Sequence, residues 1–230
     1  MLLGVLPSIS QQFSLDDVIS GFNKTVFGTE YRTLRWRAYR VKKFSEPIRV
    51  LVINKSHLDR SEIVSRFIHT IDQKVRGIDM AVTKVPAQAN FHVFIVDRSQ
   101  YEDVARTEVF GSPDANVPGS CMAQIISGKD GIDLSSAIVV ADEGEFRFRR
   151  CMIEEILQGL GPLNDDAGLE HSIFNDDTHF TSFTQYDRIL LNMLYDPRVK
   201  HGASQDELNA FVPLLARSAW RFVTMEEPPN

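Results

Sequence analysis

Residues 47–53, Pro-Ile-Arg-Val-Leu-Val-Ile, form an apolar run broken only by Arg49 and closed by Asn54 and Lys55. No other feature constrains the fold as much, because a run this short and this apolar reads as a buried strand. Its cover follows directly. Asp59, Ser61 and Glu62 open an amphipathic helix whose inner face carries Ile63, Phe67, Ile68, Ile71 and Val75, with Gly77 as its stop. Strands are predicted at 80–84 and 91–96, and a short helix at 99–110. A Gly-, Pro-, Asp- and Asn-rich loop at 111–119 comes next. Strands at 121–127 and 137–141 flank a Gly-Lys-Asp-Gly turn, and a helix runs from near Phe148 to Gly159 or Leu160. Thr184 and Asp187 cap a helix through Leu194 that Asp196-Pro197 stops, and Ser204 with Glu207 caps a last helix through Phe211, Leu214 and Leu215. Alternating strands and helices predict an α/β protein.

The first 44 residues read as an arm packed on the outside. It has a helical pattern at Leu15, Val18, Ile19 and Phe22. Arg32, Arg35, Arg37, Arg40, Lys42 and Lys43 then alternate with apolar residues, as in a strand with one solvated face. The compact domain spans 45–205, and 206–230 supplies the last helix and a frayed tail.

At 230 residues, 43% hydrophobic and 24% charged, the chain can bury a sizeable core. Its formal charge of −6 argues against nucleic acid as a partner, since phosphate binding needs a concentrated basic face. No segment approaches the roughly 20 apolar residues that span a bilayer. Residues 1–10 are apolar but lack a positive n-region, so they read either as the stump of an export signal or as a plain N-terminus. Two cysteines, Cys121 and Cys151, fit one disulfide in an oxidising compartment and equally two buried thiols in a reducing one; against Cys151 as a nucleophile the bridge is the stronger expectation, because Cys121 offers it a partner.

The chemistry-bearing stretch is residues 151–161, Cys-Met-Ile-Glu-Glu-Ile-Leu-Gln-Gly-Leu-Gly. It keeps the spacing of H-E-x-x-H-x-x-G-x-x-H, in which two histidines one turn apart hold zinc, a glutamate is the general base, and a glycine turns the chain toward a third ligand. Glu154 and Gln158 stand at the histidine positions, Glu155 at the base position and Asn164 at the third-ligand position, while Gly161 keeps the turn. With Ser172-Ile173-Phe174 and the Thr184–Leu194 helix following, this order resembles the metzincin-type metallopeptidases, Phe174 standing for the residue of their methionine turn. The chain is more closely similar to an uncharacterised family of bacterial exported proteins, a domain-of-unknown-function class with the same zincin-like superfold. Its hallmarks match Glu154-Glu155, Gln158, Leu160-Gly161, Asn164-Asp165, Ser172-Ile173-Phe174 and Leu194-Tyr-Asp-Pro-Arg198. The resemblance covers roughly residues 45 to 205. It implies a twisted mixed sheet, an active-site helix and a smaller C-terminal helical lobe, with the old substrate cleft between.

No cofactor is expected. One carboxylate and two amides would hold zinc poorly, and calcium or magnesium would want more carboxylates. A hydrogen-bond network is expected instead, with Gln158 donating to Glu154 and Asn164 completing the set. Glu155 reads either as a carboxylate held by Arg149, Arg150 or a backbone amide, or as a raised-pKa acid in a cleft. Asp165 or Asp187 could serve as a second carboxylate, and His171 or His179 as a relocated metal ligand, although six histidines in a chain this long is an ordinary count. The leading expectation is an inactive metallopeptidase homologue, periplasmic or secreted, that binds a protein, peptide or cell-wall ligand. The alternatives are a hydrolase with an unconventional metal site or a Glu155 acid/base, and a structural envelope protein whose cleft is plugged by side chains such as Phe174.

Overall fold

In the computed structural model, which describes residues 13–28 and 40–226, the apolar run at 48–54 is β1 (Ile48–Asn54). It is paired on both sides, with β2 (Met80–Val82) and β3 (Phe91–Val96), both parallel to it. β5 (Ile132–Val140) runs parallel to β3, and β4 (Met122–Ser127) returns antiparallel to β5 through the turn at 128–131. Among the described residues the order is β2-β1-β3-β5-β4, a mixed sheet with β4 at one edge. β3 shows why its sequence is apolar throughout. Phe91, Val93 and Ile95 enter the main core, whereas Phe94 and Val96 face a smaller cluster with Tyr101, Val104, Ile138 and Val140. A strand buried on both faces cannot alternate with polar residues.

The main face is covered by α2 (Ser61–Lys74), which buries Val64, Phe67, Ile68 and Ile71, and by α4 (Glu145–Gln158). Each of these large apolar side chains contributes roughly 1.5–3 kcal/mol by leaving water. α4 starts three residues before the expected Phe148, and every residue from Cys151 to Gln158 is buried. A helix enclosed on all sides belongs to the interior. Its C-terminal end is fixed by Ser135 Oγ, which donates to the Gly159 carbonyl at 2.6 Å, and by the Tyr195 hydroxyl, which donates to the Leu160 carbonyl at 2.8 Å. On the other face, the helix expected at 99–110 is a short α3 (Tyr101–Val104) that widens into a π-type segment, Ala105–Phe110, and ends at Gly111 with φ +60°.

The N-terminal segment departs from the expected external arm. α1 (Leu15–Phe27) buries Val18 and Phe22 completely and packs against α5 (Gln185–Leu194) and α7 (Val212–Glu226). Gly21 permits the approach, since a Cβ there would lie 2.0 Å from the Tyr186 hydroxyl oxygen, and that hydroxyl donates to the Asp17 carbonyl. The basic strand expected up to Val41 falls largely on residues 29–39, outside the described residues. Of its described end, Arg40 makes a single antiparallel bridge with Ser204. Lys43 is buried rather than solvated, donating to the Leu194 and Val199 carbonyls at 3.0 Å each at the end of α5; burial lowers its pKa to about 8. The expected last helix is two, α6 (Gln205–Leu208) and α7, because Pro213 is accepted in a first turn but would break a continuous helix.

Candidate functional site

α4 and the edge strand β4 share a cavity of about 600 Å³. Glu154, Glu155 and Gln158 of α4 line it on one side and Met122, Ala123, Gln124 and Ile125 of β4 on another, with Asn164, Asp165 and Asp176 contributed by the following loops. The two walls are joined covalently. Cys121, at the start of β4, is bridged to Cys151 of α4 with a Cα–Cα distance of 5.9 Å, so the two cysteines form one disulfide.

Gly161 determines how the loop returns. Its φ is +130°, and a Cβ there would lie 2.0 Å from the Lys42 carbonyl oxygen, so the reversal requires glycine. The chain then folds back and sets Asp165 against α4. Gln158 Nε2 donates to both Asp165 carboxylate oxygens at 2.9 Å, and Asn164 Nδ2 donates to the Thr25 carbonyl at 3.0 Å. The expected network is therefore corrected: Gln158 serves Asp165 rather than Glu154, and Asn164 ties the loop to α1.

Glu154 faces Arg150 at 3.5 Å, and Arg150 also lies 3.4 Å from Asp176 and donates to the Ile173, Asn175 and Thr178 carbonyls. Arg149 turns to Glu145 at 2.6 Å. Arg150, one of the partners expected for Glu155, thus holds Glu154 and the 173–178 loop. Burial pushes Glu154 up to about 8 against the pull of Arg150, and Asp165, Asp176 and Asp187 raise it further. Because the folded pKa lies above the ordinary carboxylate value of 4.5, the folded state binds the extra proton between pH 4.5 and about 8. Glu154 therefore contributes stability that is fully present at acid pH and is lost as pH rises through that window. The slope reaches about 1.4 kcal/mol per pH unit where the folded form is protonated and the unfolded form is not. Glu154→Gln should flatten the decline; urea titrations across this range check it, and parallel curves for the two proteins would contradict it.

Glu155 is 5% exposed and lines the same cavity. Its charge, after burial, is the next cause of the raised pKa of Tyr101, whose hydroxyl donates to the Pro118 carbonyl on the rim.

The Ser172-Ile173-Phe174 turn is built around Asp187. This fully buried carboxylate accepts from Ser172 Oγ at 2.6 Å, Ile173 N–H at 3.3 Å, Thr184 Oγ1 at 2.7 Å and Thr184 N–H at 3.3 Å. Asp187 is thus both the helix cap expected from Thr-x-x-Asp and the anchor of the turn, and it does not line the cavity. Phe174 is fully buried in the main core and does not line the cavity either.

Neither His171 nor His179 lines the cavity that Glu154 lines. His171 sits 5.4 Å from the Phe13 ring and His179 6.1 Å from that of Phe146, and no histidine lines the cavity among the described residues. The donor set does not fit zinc. Gln158 is committed to Asp165, Asn164 to Thr25 and Glu154 to Arg150, and among the described residues no three His, Cys, Asp or Glu side chains are grouped to hold a metal ion. What sequence reasoning missed is the wall: nothing in the local pattern of 121–127 says that it is an edge strand facing α4. Asp165 as the partner of Gln158 had a signal, the glycine reversal at Gly161 between them.

A family model described as a protein of unknown function (DUF2927) matches residues 16–214. No curated protein and no solved structure matches the chain.

Proposed function

The chain belongs to the DUF2927 family, and from that starting point we propose that it is a zincin-like metallopeptidase homologue without catalysis whose former substrate cleft binds an extended peptide segment bearing a basic side chain. One observation carries the reading: an edge strand and a group of carboxylates face the same cavity. β4 is an edge strand whose residues 122–125 line one wall, and an edge strand is where an extended peptide adds to a sheet. Glu155, Asp165 and Asp176 supply negative charge to the lining, against Arg40 and Lys42, and Glu154 adds its own only as pH rises through about 8. Support for a zincin-like ancestry is the preserved chain order of α4, the Gly161 reversal, the buried turn at 172–174 and α5, together with polar side chains at the ligand positions that are occupied by protein partners.

The disulfide supports an oxidising compartment, the periplasm or the cell exterior. Among the described residues no helix is long and apolar enough to cross a membrane.

Fluorescence anisotropy with short labelled peptides tests the binding reading. Peptides with a central arginine or lysine should bind in preference to glutamate and alanine versions. Glu154→Gln combined with Glu155→Gln should weaken them at least about tenfold, since the carboxylates would be buried against the ligand's charge. Affinity indifferent to peptide charge, or unchanged in the variant, would sink the proposal. A second reading, a hydrolase using a cavity carboxyl as acid/base, is favoured by Glu154 being held at about 8. Cleavage of the same peptides would select it.

A further inference from the structure

The solvent side of α7 combines two features that a free surface rarely carries together. Phe211 and Leu214 are each 49% exposed and Met225 is 75% exposed, and the exposed Arg217 and Arg221 stand among them. Leu214, Arg217, Arg221 and Met225 recur at three- and four-residue spacing, so they share one side of the helix over roughly 17 Å, with Phe211 just before its start. The opposite side, Val212, Leu215, Ala219 and Val223, is packed in the main core, which presents the outer side rigidly.

Two more arginines arrive from other elements. Arg76, after α2, has its backbone N–H on the Asn192 side-chain oxygen at 3.0 Å, and its guanidinium lies 4.1 Å from the Phe222 ring centre. Arg198 follows α5 and pairs with Asp196 at 2.7 Å. With Arg217 and Arg221 they border a shallow groove of about 440 Å³ whose lining contains four arginines and no acidic residue among the described residues. In a chain of formal charge −6 this is a local reversal of sign.

Guanidinium groups in a row select phosphate or carboxylate. Exposed phenylalanine, leucine and methionine interleaved with them along a helix select an environment that takes up apolar side chains at the same depth, which an acidic polypeptide does not offer along a whole helix side. The boundary between headgroups and acyl chains satisfies both requirements. We propose that the outer side of α7, with Arg76 and Arg198, docks in plane on a membrane surface bearing anionic phospholipid headgroups. The contact is peripheral and independent of the cavity beside α4.

The test is co-sedimentation of the full chain with vesicles of phosphatidylcholine alone and of phosphatidylcholine mixed with phosphatidylglycerol. Binding is expected to the mixed vesicles only and to weaken with salt. Each arginine removed should lower partitioning about fivefold, so Arg217→Ala with Arg221→Ala should lose about 25-fold. Leu214→Ser with Met225→Ser should also reduce binding, with the salt dependence retained. All four side chains are exposed, so unchanged melting of the variants separates lost docking from lost folding. Failure to bind the mixed vesicles, equal binding to phosphatidylcholine alone, or binding retained in the arginine variant would overturn the proposal. Capture of polyglutamate without vesicle binding would assign the surface to an acidic polypeptide instead.

Discussion

Asp187→Ala is expected to lower the stability of the folded protein by about 3–5 kcal/mol, because several buried donors lose one acceptor at once. Ser172 Oγ, Thr184 Oγ1 and the Ile173 and Thr184 amides all converge on this carboxylate, which has no exposed surface. The loss should spread beyond the α5 cap, since the same group fixes the turn that seats Phe174 in the main core. Burial raises Asp187 from 3.8 to about 6, against the hydrogen bonds that favour its charged form. A raised folded pKa means that its contribution is complete below pH 3.8 and declines as pH rises through about 6. The deficit of the variant should accordingly shrink over that interval. Urea unfolding at several pH values measures both quantities. A loss under about 1 kcal/mol would mean that water or rearranged backbone satisfies those donors.

Opening the Cys121–Cys151 bridge should cost roughly 3–4 kcal/mol, the chain-entropy value for a cross-link closing a loop of about this length; the two cysteines are 30 positions apart. The loss has a functional side. β4 is an edge strand, held to the sheet by β5 alone among the described residues, and the bridge is what ties its start to α4. Cys121→Ser with Cys151→Ser should therefore weaken basic-peptide binding as well as lower the melting temperature. Thermal denaturation with and without reductant, beside the same anisotropy titration, reads both effects. Stability unchanged by reduction would show that the packing around α4 holds the wall unaided.

Much of the element order was legible because its causes are local. The apolar runs at β1 and β3, the capping pairs Ser204–Glu207 and Thr184–Asp187, and the helical spacing of α2 act over a few residues and need no knowledge of the rest of the chain. Pro213 was equally legible as the start of a new helix, and the apolar pattern running through it concealed the break. α1 shows the limit: Val18 and Phe22 announce an amphipathic helix, yet whether it lies outside or inside depends on Gly21 meeting Tyr186, 165 positions away.

At the candidate site the same division holds. By itself the sequence determined that Glu154, Glu155 and Gln158 share a helix, that Gly161 reverses the chain after it, and that a disulfide had only one pair from which to form. It could not determine which polar groups would meet, because a side-chain hydrogen bond is decided by distances of tenths of an ångström between elements remote in sequence. Only the tertiary structure gave Gln158 to Asp165, Asn164 to Thr25 and Arg150 to Glu154. Only it placed β4 across from the carboxylates, since strand order is fixed by which apolar faces pack together and not by any pattern within the strand.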